Sequence, residues 1–131
     1  MDTVELGEFG ELCAMNIVEN TAETVCVRMP VAGKRQPFGL LHGGANAVLV
    51  EHAASLLATH HCPPERIPVG SEVAVQHLRP VRDGYVEGRA HILALSSTGA
   101  TIGVEIYDGE GNHSASGTLT ALFINPEKLS R

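Results

Sequence analysis

Basic residues are scarce in this chain. Nine lysines and arginines face fifteen aspartates and glutamates, a formal net charge of -6, which argues against nucleic acid or an anionic membrane as the main partner. Lys34, Arg35, Arg66, Arg79 and Arg82 flank predicted loops, where they either gather around a phosphorylated ligand or stay solvated. Cysteine is equally sparse: Cys13, Cys26 and Cys62 are odd in number and form no CxxC pair, which suits reduced thiols in a cytosol. Tryptophan is absent, and the aromatics Phe9, Phe38, Tyr85, Tyr107 and Phe123 are too few to fix the shape of a ligand pocket. There is no internal repeat and no low-complexity run. The opening Met1-Asp2-Thr3-Val4-Glu5 lacks the basic and apolar regions of a signal peptide. The one long apolar stretch carries Glu51 and His52 at its middle, which argues against a membrane span. The expected location is the cytoplasm.

What is present is a core. With 131 residues, 44% of them hydrophobic, the expectation is a single domain over 1–131. Its centre is the stretch Gln36-Pro37-Phe38-Gly39-Leu40-Leu41-His42-Gly43-Gly44, which runs into Ala47, Val48, Leu49, Val50, Glu51 and onward to Leu57 and Ala58. Pro37 and Gly39 break regular structure, and the run that follows is too rich in Ala and Leu to favour a strand. The spacing predicts a loop feeding a helix from about Gly43 to His60, stopped by Cys62-Pro63-Pro64. Apolar residues cover most of that helix, so something is expected to wrap it. A carboxylate at Glu51 is then conspicuous, because burying an unpaired charge costs several kcal/mol.

Two strands are predicted before the helix, at 12–19 and 23–30, and four after it, at about 69–78, 85–95, 99–107 and 114–124. Val25, Val27 and Met29 alternate with Thr24, Cys26 and Arg28; Val86, Gly88, Ala90, Ile92 and Ala94 oppose Glu87, Arg89 and His91. The small residues on these apolar faces fit close packing on a helix. Residues 3–11 are compatible with a short helix or a frayed arm. The simplest arrangement is α+β, one antiparallel sheet of about six strands curled around one long helix.

Three features of the central stretch suggest chemistry. Gly43 and Gly44 lie where the unpaired donors of a helix N-terminus point outward; they form an oxyanion hole or a tight loop needing positive φ. Gln36 and His42 either polarise a carbonyl and brace the loop, or are loop residues with local partners. Glu51 and Ser55 are four apart on one helical face, a candidate nucleophile or general base with its hydroxyl partner. The alternative for Glu51 is a subunit interface and a distant Arg. Gly43 and Glu51 are eight residues apart, roughly 12 Å along a helix axis, while attack on a carbonyl needs atoms about 3 to 3.5 Å apart. One chain cannot bring them together, but a second copy with its helix antiparallel would, so a twofold dimer with two shared sites is expected.

The nine residues from Gln36 to Gly44, with Glu51 nine positions after His42 and Ser55 four later, resemble the hotdog-fold acyl-CoA thioesterases. The similarity is to the 4-hydroxybenzoyl-CoA and phenylacetate-degradation type, including proofreading thioesterases of siderophore synthesis. It spans nearly the whole chain and includes His77-Leu78-Arg79-Pro80-Val81. It implies a hotdog fold, dimers often paired into tetramers, and hydrolysis of a small-to-medium acyl-CoA or aroyl-CoA without a metal or other cofactor. It also implies that Glu51 attacks the carbonyl or activates water, that the Gly43 amide stabilises the oxyanion with Gly44 beside it, and that Gln36 polarises the carbonyl. His42 would orient the thioester and Ser55 would position Glu51 or water. His77 and Arg79 would lie near the CoA portion. Val75-Gln76-His77-Leu78 departs from relatives that carry Asn or two adjacent His there. His60-His61-Cys62 is expected to be a frayed helix end rather than a metal site, because neighbouring residues diverge around a helix. Rival readings are a thioesterase acting on a carrier protein's phosphopantetheine arm, a non-catalytic acyl-CoA-binding module, and, on the same fold, a hydratase or dehydratase.

Overall fold

The predicted alternation becomes one sheet. The computed structural model describes residues 3–129. In chain order the elements are α1 (Thr3–Leu12), β1 (Asn16–Asn20), β2 (Val25–Pro30), α2 (Gly43–His61), β3 (Ile67–His77), β4 (Tyr85–Leu95), β5 (Gly99–Asp108) and β6 (His113–Ile124), then a 3₁₀ turn at Pro126–Leu129. All pairings are antiparallel, in the order β1-β2-β4-β5-β6-β3. Thus β3, the strand that follows the helix, crosses to the far side and forms an edge.

The alternating residues read from sequence set the core. Val86, Ala90, Ile102, Val104, Ile106, Ala115 and Leu119 turn inward and meet Leu49, Val50, Ala53, Ala54 and Leu57 of α2. Each such Val, Leu or Ile contributes about 1.5–3 kcal/mol by leaving water. Small residues let the helix come close, as expected: a Cβ at Gly88 would lie 3.1 Å from Leu49 Cγ, and one at Gly117 2.8 Å from Val50 Cγ2. The helix is nevertheless not wrapped all round. Its buried residues follow a one-sided stripe from Asn46 to Ala58, since a sheet covers only one side of a cylinder. Glu51 lies outside that stripe and is exposed, which corrects the expectation of a buried carboxylate.

Other boundaries moved for local reasons. Residues 12–15 are not strand: α1 runs to Leu12 with a break at Gly7, and Ala14 takes a left-handed φ of 58° before β1 begins. The end of α2 is tied down rather than frayed, because His60 Nε2 meets Asn20 Oδ1 and His61 Nε2 meets the Ala22 carbonyl, both at 2.6 Å.

The outer sheet face holds a buried acid that alternation alone places in solvent. Glu87 Oε1 lies 2.8 Å from Arg28 Nη2 and its Oε2 3.0 Å from Arg89 Nε, while the guanidinium groups cover the rings of Tyr85 and Tyr107. Burial raises the Glu87 pKa, but the hydrogen bonds from Arg28 and Arg89 outweigh it and the net shift is downward. A lowered folded-state pKa gives stability that is complete above the unfolded value, about 4.3 for Glu, and is lost as pH falls through the folded value. The melting temperature of the wild type should therefore drop more steeply below that pH than that of Glu87→Gln. Parallel acid slopes in thermal melts would contradict this.

Candidate active site

The loop before α2 is wound around Gln36. Its Oε1 accepts from Phe38 N at 2.6 Å and Leu40 N at 3.1 Å, and its backbone exchanges hydrogen bonds with Leu40 O and Gly39 N. Gly39 closes the turn at φ 87°. With the amide oxygen occupied, Gln36 has only its N–H donors to offer outward.

His42 caps the helix. Its Nδ1 accepts from Gly44 N at 2.8 Å, which occupies one of the orphan donors of the helix terminus. Gly44 is thereby removed from the candidate oxyanion hole, and Gly43 N–H is left as the donor there. Neither glycine takes positive φ, so the tight-loop alternative does not explain them. Space does: a Cβ at Gly43 would lie 2.9 Å from His77 Nε2, and one at Gly44 3.1 Å from His42 Nδ1.

Gln36, Gly43, His77 and Arg79 line one cavity of about 350 Å³, together with Asn46 and Leu40. Arg79, Pro80 and Val81 also line a neighbouring cavity of about 550 Å³ that continues past Arg82 and Tyr85 to Asn112. Four of the residues singled out in the sequence therefore share a cavity. His77 stands at Gly43 itself. Asn46 Nδ2 lies 3.2 Å from His77 Nδ1.

Glu51 is elsewhere. Its Oε2 sits over Gly70 of β3, 2.9 Å from where a Cβ would be. The described residues give it no hydrogen-bond partner; the expected hydrogen bond from Ser55 is not formed, since the Glu51 carboxylate leans toward the strand. Ser55 contributes its carbonyl to Thr59 Oγ1 instead. Both halves of the candidate site thus rest on β3: Gly70 under Glu51, and His77 beside Gly43. Seven residues separate them, an odd number that would turn them to opposite faces. A bulge resolves this. Gly70 pairs with Ala121 and Glu72 with Thr120, leaving Ser71 as the extra residue, so that Gly70, Val73, Val75 and His77 all face the helix.

Gly70 and Asn46 were not singled out in the sequence. A glycine inside a strand and an amide inside an apolar helix run were the available signals. Gly70→Ala is expected to push the Glu51 carboxylate off the strand, since the added Cβ would stand 2.9 Å from Oε2 and 3.0 Å from Leu119 Cδ1; an unmoved carboxylate in a structure of that variant would contradict the placement.

A model of the Thioesterase superfamily matches residues 38–115. The chain belongs to this superfamily. Its sheet and central helix are the hotdog fold, and its class of chemistry is thioester hydrolysis. The chain is 37% identical over 103 residues, 78% of its length and 76% of the relative's, to a 1,4-dihydroxy-2-naphthoyl-CoA hydrolase of Escherichia coli. It superimposes with a TM-score of 0.88 on a thioesterase structure from Haemophilus influenzae, at 28% identity and with 94% and 87% of the two chains covered. A thioesterase from Staphylococcus aureus, also 28% identical, has been solved with a glutamine replaced by alanine (TM-score 0.83, coverage 86% and 95%) and with a glutamate replaced by alanine (TM-score 0.85, coverage 89% and 98%). Among the described residues of this superfamily member, no helix is long and apolar enough to cross a membrane.

Proposed function

We propose that the protein hydrolyses a small-to-medium acyl-CoA or aroyl-CoA thioester, with Glu51 of one protomer acting at the Gly43 amide of another. The observation that carries this is the sharing of one cavity by Gln36, Gly43 and His77, with an unpartnered carboxylate at the other end of the same edge strand. The exposed edge of β3 supports the pairing. A second β3 laid antiparallel along it sets the Gly70 end of each strand beside the His77 end of the other, and so brings each Glu51 toward the opposite Gly43. The fifteen-residue separation of the two positions altered in the Staphylococcus thioesterase equals that of Gln36 and Glu51, which supports the two acting together. The aroyl-CoA named for the Escherichia coli relative supports an aromatic acyl group.

In the reaction, Gln36 N–H and Gly43 N–H draw electron density onto the carbonyl oxygen. Glu51 gives an electron pair either to the carbonyl carbon, forming an anhydride that water then opens, or to a water proton, so that hydroxide adds directly. Either way the C–S bond breaks, the sulfur leaves as CoA thiolate and is protonated, and the acid departs. Label left on Glu51 after a single turnover in ¹⁸O-water would mark an anhydride opened at the Glu51 carbonyl, and acylated Glu51 caught in a rapid quench would mark one opened at the substrate carbonyl; neither is expected if Glu51 activates water. The proposal is tested by a panel of aliphatic and aromatic CoA esters with a thiol-trapping dye, run beside carrier-protein thioesters. Thiol release from CoA esters supports it, and binding without release would overturn it. Faster turnover of the carrier-bound ester would move the substrate to the carrier protein.

A further inference from the structure

We propose that Asn46 is a positioning residue that holds the His77 imidazole with its proton on Nε2, making that N–H the partner of the Gly43 amide in binding the thioester oxygen. The inference rests on the thioesterase reading for the identity of the oxygen, but the proton's place on the ring does not.

Asn46 lies one turn beyond Gly43 on α2 and is 6% exposed, with Ala45, Ala47 and Val48 around it in sequence. Burying an amide in such a setting is costly unless both its ends are satisfied. Here Nδ2 reaches His77 Nδ1 at 3.2 Å, while Oδ1 is enclosed and has no partner among the described residues. Stability alone would favour an alanine. The contact has a chemical consequence instead. With the amide set so that Nδ2 rather than Oδ1 meets the ring, Nδ1 must supply the lone pair, and the neutral ring then carries its proton on Nε2.

That nitrogen faces the place where the donors of Gly43 and Gln36 converge, and would add a further one. The hole at the helix terminus is thin, because His42 Nδ1 already occupies Gly44 N–H. His77 Nε2 lies 2.9 Å from where a Cβ at Gly43 would stand, a closeness that only glycine permits, and both residues line the cavity of about 350 Å³. As the carbonyl oxygen gains charge it would receive the ring N–H beside those of Gly43 and Gln36, with no proton transferred. The other tautomer would present a lone pair to that oxygen and repel it.

The test reads the tautomer directly. In ¹⁵N-histidine-labelled protein at neutral pH, with His77 assigned by the signal lost in His77→Gln, the expected form is Nε2–H. Asn46→Asp reverses the polarity of the contact: the carboxylate accepts from Nδ1–H, and Nε2 of the neutral ring loses its proton. Its kcat should fall about 10- to 100-fold, up to the usual effect of one oxyanion donor, with KM within about twofold, and adding His77→Gln should cost little more. Asn46→Ala leaves no buried charge and should give a mixture of tautomers, so it serves where the aspartate does not fold. An Nδ1–H ring in the wild type, an unchanged tautomer in both variants, or losses that multiply in the double variant would overturn the proposal. If the wild type hydrolyses no thioester, the thioesterase reading fails, while the tautomer and its dependence on Asn46 are still read.

Discussion

Glu51→Gln is expected to lower kcat for a CoA thioester by about 10³-fold or more, since a positioned general base typically contributes about 10²–10⁴-fold and loss of a nucleophile costs more. The substitution keeps the side chain's shape and removes only its negative charge. Glu51 is exposed and is not among the core residues that meet the sheet, so the melting temperature and oligomeric state should stay as they were. This pairing of outcomes separates chemistry from folding. A Glu51→Gln protein with full activity would remove the carboxylate from the mechanism.

Gln36→Glu is expected to lower kcat by about 10²-fold, the scale of losing one donor to a developing oxyanion. It is more informative than Gln36→Ala. Gln36 Oε1 holds the loop by accepting from Phe38 N and Leu40 N, so alanine removes the brace and the donor together. Glutamate keeps two acceptor oxygens and both loop bonds, but turns a lone pair instead of an N–H toward the substrate. Alanine should therefore raise KM and lower the melting temperature as well, whereas glutamate should act mainly on kcat. Equal effects of the two variants would mean that Gln36 serves only its loop.

Much of this was legible in the sequence because local signals agreed with the fold. Pro37, Gly39 and the apolar run from Ala47 set the loop and α2, and alternation through Val86, Gly88 and Ala90 set β4 with its inward face. What escaped depended on contacts between distant segments. Ser71 as a bulge has no composition signal, yet it decides that Gly70 and His77 share a face. Glu87 looked like an ordinary outward charge until Arg28, from a strand 59 residues away in sequence, closed over it. Gly44 was grouped with Gly43 because both lack side chains, and only the His42 ring distinguishes them. Glu51 was expected in the interior because its neighbours are apolar. The single chain leaves it outside, lying toward an unpaired strand edge.

That edge is where the account is most exposed to test. Purified Glu51→Gln and Gln36→Glu proteins, each strongly impaired alone, should be mixed, exchanged through mild denaturant and assayed with one CoA ester. If each site takes its acid from one subunit and its amides from another, mixed dimers hold one site with both residues intact, and about a quarter of wild-type turnover should return, since random exchange makes about half the dimers mixed, each with one of two sites working. If activity stays at the level of the separate variants after exchange has been verified, the two residues serve the same site from the same chain, and the shared-site mechanism is wrong.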